Sequence, residues 1–150
     1  MNRVTLEVSG HSIEAAWWSS NGARPPIVLL HEGLGSVSLW RDFPAALATA
    51  TGRTVFAYSR LGYGQSDRNP PPWPLDYMHR EALETLPAVL NQAGIGKCLL
   101  VGHSDGASIA TVAAGIGERN RYRGLVLIAP HFFVEDPSLR SIADAKCNYE

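Results

Sequence analysis

The chain has 150 residues, of which 45% are hydrophobic and 18% are charged, and its formal net charge is −1. This composition is typical of one soluble globular domain, and the absence of a long Lys or Arg run argues against nucleic-acid or membrane partners. The N-terminus, "MNRVTLEVSG", lacks the apolar core of a signal peptide, and no apolar stretch approaches the roughly 18 residues of a membrane span. We therefore expect a cytoplasmic protein that acts on a small molecule.

Two patterns of apolar residues predict strands. Residues 3–9 alternate apolar and polar side chains and residues 12–18 do so more loosely, which predicts a hairpin of two half-exposed strands. Four later segments are continuously apolar and rich in β-branched residues, as expected of strands covered on both faces. These segments are 26–31, 54–59, 97–103 and 124–130.

Three segments between these strands have helical patterns. The first, 38–50, has Ser38 as a candidate N-cap, and the second, 76–93, contains Pro87, which is expected to kink or split it. The third, 105–116, consists largely of small residues. Alternating strands and helices predict an α/β fold with a mostly parallel, doubly wound sheet that follows the N-terminal antiparallel hairpin.

The segment Gly102-His103-Ser104-Asp105-Gly106 lies between a predicted buried strand and the helix of small residues. It fits Gly-x-Ser-x-Gly, the pattern of a sharp strand-to-helix turn that exposes a serine hydroxyl at the carboxyl edge of a sheet. The helix start directs free N–H groups at the same place, which suits a developing oxyanion. Ser104 is therefore predicted to be a nucleophile, and a glycine-flanked turn with a capping serine is the alternative.

Three stretches together resemble the α/β-hydrolase fold family over about residues 24–135. They are "VLLHEGLGS" at 28–36, "AYSRLGYGQSD" at 57–67 and "LVGHSDGASIA" at 100–110. The resemblance implies a single incomplete α/β-hydrolase core whose C-terminal part is missing. Its expected parts are an N-terminal hairpin over 1–23, a parallel α/β core over 24–130, and the start of a cap or a truncated tail over 131–150.

The resemblance also implies roles for individual residues. Ser104 is the nucleophile, and the backbone N–H of Asp105 is one donor of the oxyanion hole. The second donor is expected from Gly33, with Leu34 as the alternative, although Glu32 stands where the family usually has a glycine.

The five histidines differ in where they fall. His131 follows the predicted strand 124–130 and is expected to line the substrate pocket on the same rim as Ser104. We expect a structural role for His31 in the oxyanion loop. No role in the chemistry is expected for His11 in the hairpin turn, His79 in the second helix or His103 in the elbow.

The remaining triad members are expected outside this sequence. In this family the acid and then the histidine follow the serine in chain order, after strands that come later than residue 150. Glu135 and Asp136 follow a strand on the correct side, but no later histidine is present for either of them to orient. We therefore expect a truncated hydrolase that is inactive by itself and that self-associates through its exposed sheet edge.

The resemblance implies an ester, thioester or related acyl substrate, an acyl-enzyme at Ser104, and no cofactor. The spacing of Cys98 and Cys147 predicts two free thiols rather than a metal site. The loop "EGLGSVS" lacks the complete nucleotide-binding patterns, so it does not favour a phosphate site. Alternatives are a cofactor-free haloperoxidase-, lactonase- or C–C-hydrolase-like activity, and a non-catalytic binding protein on the same fold.

Overall fold

The computed structural model describes residues 1–20 and 23–149. Its strands are β1 Asn2–Val8, β2 His11–Trp18, β3 Ile27–Leu30, β4 Val55–Tyr58, β5 Cys98–His103 and β6 Tyr122–Ile128. Its α-helices are α1 Phe43–Thr51, α2 Tyr77–Arg80, α3 Leu86–Gln92, α4 Asp105–Ile116 and α5 Asp136–Tyr149. The strands form one sheet in the order β1-β2-β4-β3-β5-β6, in which β1 and β2 pair antiparallel and β3 to β6 pair parallel. The predicted fold class is confirmed.

The two faces of the sheet are covered by different helices because strand side chains alternate in direction. On β3, Val28 and Leu30 belong to a core cluster that includes residues of α3 and α4. Ile27 and Leu29 belong to a second cluster on the opposite face, which includes Ala48 of α1. All four β3 side chains are buried. The continuous apolar run of this strand therefore reflects burial on both faces, as predicted.

The hairpin forms as predicted, but β2 is more buried than expected. Ser9 and Gly10 both have positive φ, the conformation of a two-residue turn that matches the twist of the paired strands. Ile13 and Ala15 lie in one core cluster, whereas Ala16 lies in the other. The expectation of a half-exposed second strand was wrong because β2 pairs on both edges, with β1 and β4, and is covered on both faces.

The first helix begins later than its sequence pattern suggested. Ser38 starts a short 3₁₀ turn that ends at Trp40, and Arg41 then takes a positive φ that interrupts the helical path. The α-helix begins at Phe43, with proline in its first turn, where a missing N–H has no cost. Ser38 is therefore not the cap of α1.

The second helical segment is interrupted as Pro87 predicts. Residues Glu81–Thr85 form a π-helical turn between α2 and α3, and α3 starts directly before the proline. Pro87 has no N–H to donate and its ring crowds the carbonyl four residues earlier, so regular α-helical bonding cannot pass through this point.

The last strand is exposed, as expected for the outermost strand of a truncated sheet, although its apolar run taken by itself predicted burial on both faces. β6 lies at the edge of the described sheet, where Val126 is 54% and Ile128 is 40% exposed.

Cys98 is a buried free thiol, while the side chain of Cys147 lies outside the described part of the chain. Among the described residues, no helix combines the length and the apolarity needed to cross a membrane.

A buried carboxylate on β2 fixes the loops that lead to the site. Glu14 accepts hydrogen bonds from Arg3, from the hydroxyl of Ser59 at 2.7 Å and from the N–H of Gln65 at 3.0 Å. The Ser59 hydroxyl oxygen also accepts the N–H of Val37 at 2.9 Å. The loops after β3 and β4 are thus tied to one carboxylate group, which compensates its burial.

Candidate active site

Ser104 lies at a sharp turn between β5 and α4. Its φ of 54° and ψ of −116° are strained for a residue with a side chain. The conformation is held on both sides, because the Ser104 N–H donates to the carbonyl of Ile128 at 2.8 Å and the Ser104 carbonyl accepts the N–H of Ala107 at 2.9 Å. The strand-to-helix turn predicted from the pentad is therefore present.

The two glycines of the pentad are required by close backbone contacts. A Cβ on Gly102 would lie 2.3 Å from the carbonyl oxygen of Gly106. A Cβ on Gly106 would lie 2.0 Å from the carbonyl oxygen of Leu30 and 2.7 Å from that of His31. Any side chain at either position would thus push α4 away from the sheet and displace Ser104.

The Ser104 hydroxyl meets an imidazole at the carboxyl edge of the sheet. Its Oγ lies 2.7 Å from Nε2 of His131, a residue of the segment that follows β6. Both residues border a cavity of about 460 Å³ between the elbow, the loop after β3 and helix α5. The other lining residues are Glu32, Gly33, Asp105, Pro137, Ser138, Ser141 and Ile142.

The two candidate second donors of the oxyanion hole differ in their surroundings. The N–H of Leu34 donates to the Glu32 carboxylate at 2.7 Å, so this group is already engaged. Gly33 lies against Asp105, the residue after Ser104, because a Cβ built on Gly33 would be 3.2 Å from Oδ2 of Asp105. Glu32, which stands where the family usually has a glycine, therefore occupies the Leu34 N–H and favours Gly33 as the second donor.

The Asp105 side chain is anchored by residues outside the elbow. Its Oδ2 accepts the Tyr77 hydroxyl at 2.7 Å and lies 4.0 Å from the buried guanidinium of Arg60. Burial and the hydrogen bond to Asp105 raise the pKa of the Tyr77 hydroxyl, so this group stays a donor. Neither Arg60 nor Tyr77 was assigned a role from the sequence. The arginine stands in the "SRLGYG" loop that carried the family resemblance, but its partners come from distant segments.

His31 is neutral and structural in this arrangement. Its Nε2 accepts the backbone N–H of Arg60 at 3.0 Å, and its Nδ1 lies 2.7 Å from the carbonyl of Glu32. Burial and the Arg60 charge lower the pKa of His31 from 6.5 to about 3. The Arg60 guanidinium also donates to the carbonyls of His31 and Glu32, at 2.7 and 3.0 Å. His31 and Arg60 together hold the start of the loop after β3.

The shifted pKa of His31 predicts a loss of stability in acid. Between pH 6.5 and about 3 the unfolded chain binds a proton at His31 that the folded chain does not, so the free energy of unfolding falls as the pH decreases. We expect His31→Gln to flatten this dependence in denaturant titrations at pH 7, 5.5 and 4. The matched change at the exposed His79, His79→Gln, should leave the slope as it is. An unchanged slope in His31→Gln would contradict the assignment of a neutral His31.

The remaining histidines lie elsewhere. His103 borders a separate cavity of about 300 Å³, together with His31, Trp40 and Arg41. His79 is exposed on α2, and His11 is exposed at the start of β2. The described residues contain no group of three or more His, Cys, Asp or Glu side chains arranged to hold a metal ion.

The sheet topology and the serine elbow define the class of protein. The model of the α/β-hydrolase fold family matches residues 25–144, and the chain belongs to this family. An sn-1-specific diacylglycerol lipase ABHD11 from Danio rerio is 30% identical over 111 residues, which cover 74% of this chain and 33% of the relative. An epoxide hydrolase 2 from Siraitia grosvenorii is 28% identical over 144 residues, which cover 95% of this chain and 43% of the relative.

A solved structure leads to the same family. The crystal structure of an α/β-hydrolase fold protein from Burkholderia ambifaria superimposes with a TM-score of 0.70 at 27% identity, covering 98% of this chain and 51% of that chain. The chain spans less than half the length of the curated relatives described above.

Proposed function

We propose that this chain carries the nucleophile and the oxyanion hole of a serine hydrolase that acts on an ester, a thioester or a related acyl substrate. The observation that carries the proposal is the position of the Ser104 hydroxyl. It stands on a strained turn, 2.7 Å from an imidazole nitrogen and at the edge of a cavity. A cavity of about 460 Å³ is in the range of small-molecule sites, which run from roughly 300 to 1,000 Å³.

The proposed reaction begins with attack of the Ser104 Oγ on the substrate carbonyl carbon. As the new C–O bond forms, the hydroxyl proton passes to a general base, which later gives it to the leaving alcohol or thiol, and the carbonyl π pair moves onto the substrate oxygen. The N–H groups of Asp105 and Gly33 are the proposed donors to this oxyanion, and the N-terminus of α4 adds its positive dipole end. The tetrahedral centre then collapses, the bond to the leaving alcohol or thiol breaks, and an acyl-enzyme results. Water completes the cycle by the reverse sequence.

The nature of the nucleophile favours acyl chemistry over the other activities of the family. A serine hydroxyl paired with an imidazole is suited to form and hydrolyse an acyl-enzyme. The relative from Danio rerio is named a diacylglycerol lipase, a name that denotes ester cleavage, whereas the relative from Siraitia grosvenorii is named an epoxide hydrolase. The mixed wall of the cavity, with Ile142 and Pro137 beside Ser138 and Ser141, suits a substrate that has both an apolar acyl part and polar groups.

A fluorophosphonate probe tests this proposal, because it reacts with a serine only when the hydroxyl is activated. We expect a single adduct on the folded chain, which peptide mass spectrometry should map to Ser104. A chain unfolded in denaturant before the probe is added is the control and should stay unmodified. No adduct, or an adduct on a different serine, would refute the proposed nucleophile and would favour a binding protein on this fold.

A further inference from the structure

We propose that Arg60 is a positioning residue of the oxyanion hole, whose guanidinium group directs the Gly33 N–H through the carbonyl of the same peptide group. The inference rests on the proposed function, because it concerns one of the donors proposed there. Arg60 is not among the residues that line the Ser104 cavity, so its effect on the reaction passes through the loop after β3.

The guanidinium fixes the direction of one peptide group. Its nitrogens donate to the carbonyl oxygens of His31 at 2.7 Å and of Glu32 at 3.0 Å. The Glu32 carbonyl and the Gly33 N–H belong to the same peptide group, and this peptide bond is trans. In a trans peptide the C=O and the N–H point in opposite directions. A donor that holds the Glu32 carbonyl therefore also directs the Gly33 N–H away from Arg60.

The N–H groups of the two proposed donors are free to meet a substrate. Among residues 1–20 and 23–149, neither the Gly33 N–H nor the Asp105 N–H has a backbone acceptor. Asp105 is the first residue of α4, where a helix has no acceptor of its own to offer. Both residues line the cavity of Ser104. What the reaction requires is that these two N–H groups converge on one oxygen atom.

Arg60 also acts on the Glu32 carbonyl through its own backbone. The Arg60 N–H donates to Nε2 of His31 at 3.0 Å, so the ring proton of the neutral imidazole is on Nδ1. Nδ1 lies 2.7 Å from the Glu32 carbonyl oxygen and donates to it. The N–H of Gly35 is a third donor to this oxygen, at 3.0 Å. Donors at a carbonyl polarise its peptide group, which strengthens the Gly33 N–H as a donor.

The guanidinium reaches the segment of the other proposed donor as well. Its Nη2 lies 4.0 Å from Oδ2 of Asp105, which accepts the Tyr77 hydroxyl at 2.7 Å. Arg60 therefore lies between the loop after β3 and the first residue of α4. One planar group is thus close to both segments whose N–H groups must converge.

The burial of Arg60 favours an orienting role over simple packing. The residue is only 4% exposed, and a buried charge must be compensated. The two carbonyls, the Asp105 carboxylate and the Tyr63 ring, whose centroid is 5.1 Å from the guanidinium carbon, provide this compensation. An apolar side chain of similar volume would avoid the desolvation cost. It could not donate to two neighbouring carbonyls, which the rigid fork of arginine does.

Fluorophosphonate labelling of Ser104 tests this role, because the phosphoryl oxygen gains negative charge where a substrate oxyanion would form. We expect Arg60→Lys to slow labelling by about 10- to 100-fold, since a misplacement of about 1 Å costs up to 10²-fold. The lysine keeps the charge but does not hold both carbonyls. Arg53→Lys is the matched control, because Arg53 also donates to a backbone carbonyl, that of Pro25 at 2.8 Å, and does not border the cavity. It should label at the rate of the unchanged chain.

The amide signal of Gly33 separates positioning from a merely structural role. The Gly33 nitrogen belongs to the peptide group that Arg60 holds, so its chemical shift in a ¹⁵N-labelled chain depends on hydrogen bonding at the Glu32 carbonyl. We expect Arg60→Lys to move this signal, whereas the amide signals of β1 keep their positions. Arg53→Lys should leave the Gly33 signal unchanged. The melting temperature of each variant is measured in parallel.

The outcomes separate this inference from the proposed function. If the unchanged chain is labelled and Arg60→Lys reacts just as fast, Arg60 does not position the donors, although Ser104 remains the nucleophile. Slow labelling with an unmoved Gly33 signal, or with signals moved throughout the chain, would also overturn the positioning role. Failure of the unchanged chain to react at all would reject both proposals. If Arg60→Lys does not fold, Arg60→Gln, which offers N–H donors without a buried charge, replaces it with the same expected results.

Discussion

In a protein that contains the complete hydrolase fold, replacing Ser104 with alanine is expected to reduce hydrolysis of an activated ester to the uncatalysed background. The substitution removes the atom that would form the acyl bond, so the proposed oxyanion donors have no tetrahedral centre to stabilise. In a complete serine hydrolase the loss of this group costs on the order of 10⁶ in kcat. The measurement is the initial rate of ester cleavage as a function of substrate concentration for the protein with the complete fold and for its Ser104→Ala variant.

Ser19→Ala provides the matched control for this experiment. Ser19 is exposed in the segment after β2 and does not border the Ser104 cavity, so its loss should leave the rate as it was. Saturable turnover that persists in Ser104→Ala would show that a different group carries the reaction, and the assignment of the nucleophile would then fail.

Replacing Gly106 with alanine is expected to cause a large loss of stability. The new Cβ would lie 2.0 Å from the carbonyl oxygen of Leu30 and 2.7 Å from that of His31. Both are backbone atoms, which cannot move away by a side-chain rotation. The helix must therefore move off β3. Overpacking of this kind costs about 1 to 3 kcal/mol and occasionally more, and we expect a value at or above the upper end. Unfolding in urea, followed by circular dichroism, gives the difference.

The same substitution at the other end of the helix should have the opposite sign. A Cβ on Gly115 would meet no atom within 4 Å, so Gly115→Ala adds helix propensity without a clash. It should raise the free energy of unfolding by up to about 1 kcal/mol. If both variants lost stability equally, the cost at Gly106 could not be assigned to the contact with β3. Displacement of the elbow in Gly106→Ala should also slow fluorophosphonate labelling, whereas Gly115→Ala should label normally.

The elements that were predicted well from the sequence are those with local causes. Helix α4 covers residues 105–116 as predicted, because small residues follow a strand that ends at the elbow. The apolar runs that became β3, β4 and β5 are buried on both faces. The interruption near Pro87 follows from the chemistry of proline alone. Each of these features depends on residues that are neighbours in the chain.

Boundaries that depend on distant partners were predicted less well. β2 is buried because it pairs with β4 and is covered on both faces. The alternation of apolar and polar residues within β2 predicts neither of these contacts. The apolar run of β6 by itself predicted burial, and its exposure follows only from its place at the edge of the described sheet, which the expected truncation indicated. α1 starts later than predicted because Arg41 has a positive φ. This conformation is uncommon for a residue other than glycine, so the sequence does not predict it.

For the candidate site, the sequence by itself determined the strand-to-helix turn at Ser104, since the Gly-x-Ser-x-Gly spacing and its strand-helix context are a local steric requirement. Only the tertiary structure decided what surrounds it. The contact between Ser104 and His131 joins the ends of two neighbouring strands, and the hydrogen bonds of Ser108 to His131 join a helix to the segment after β6. Contacts between residues more than twenty positions apart are set by the packing of the sheet and its helices, and a local pattern carries no record of that packing.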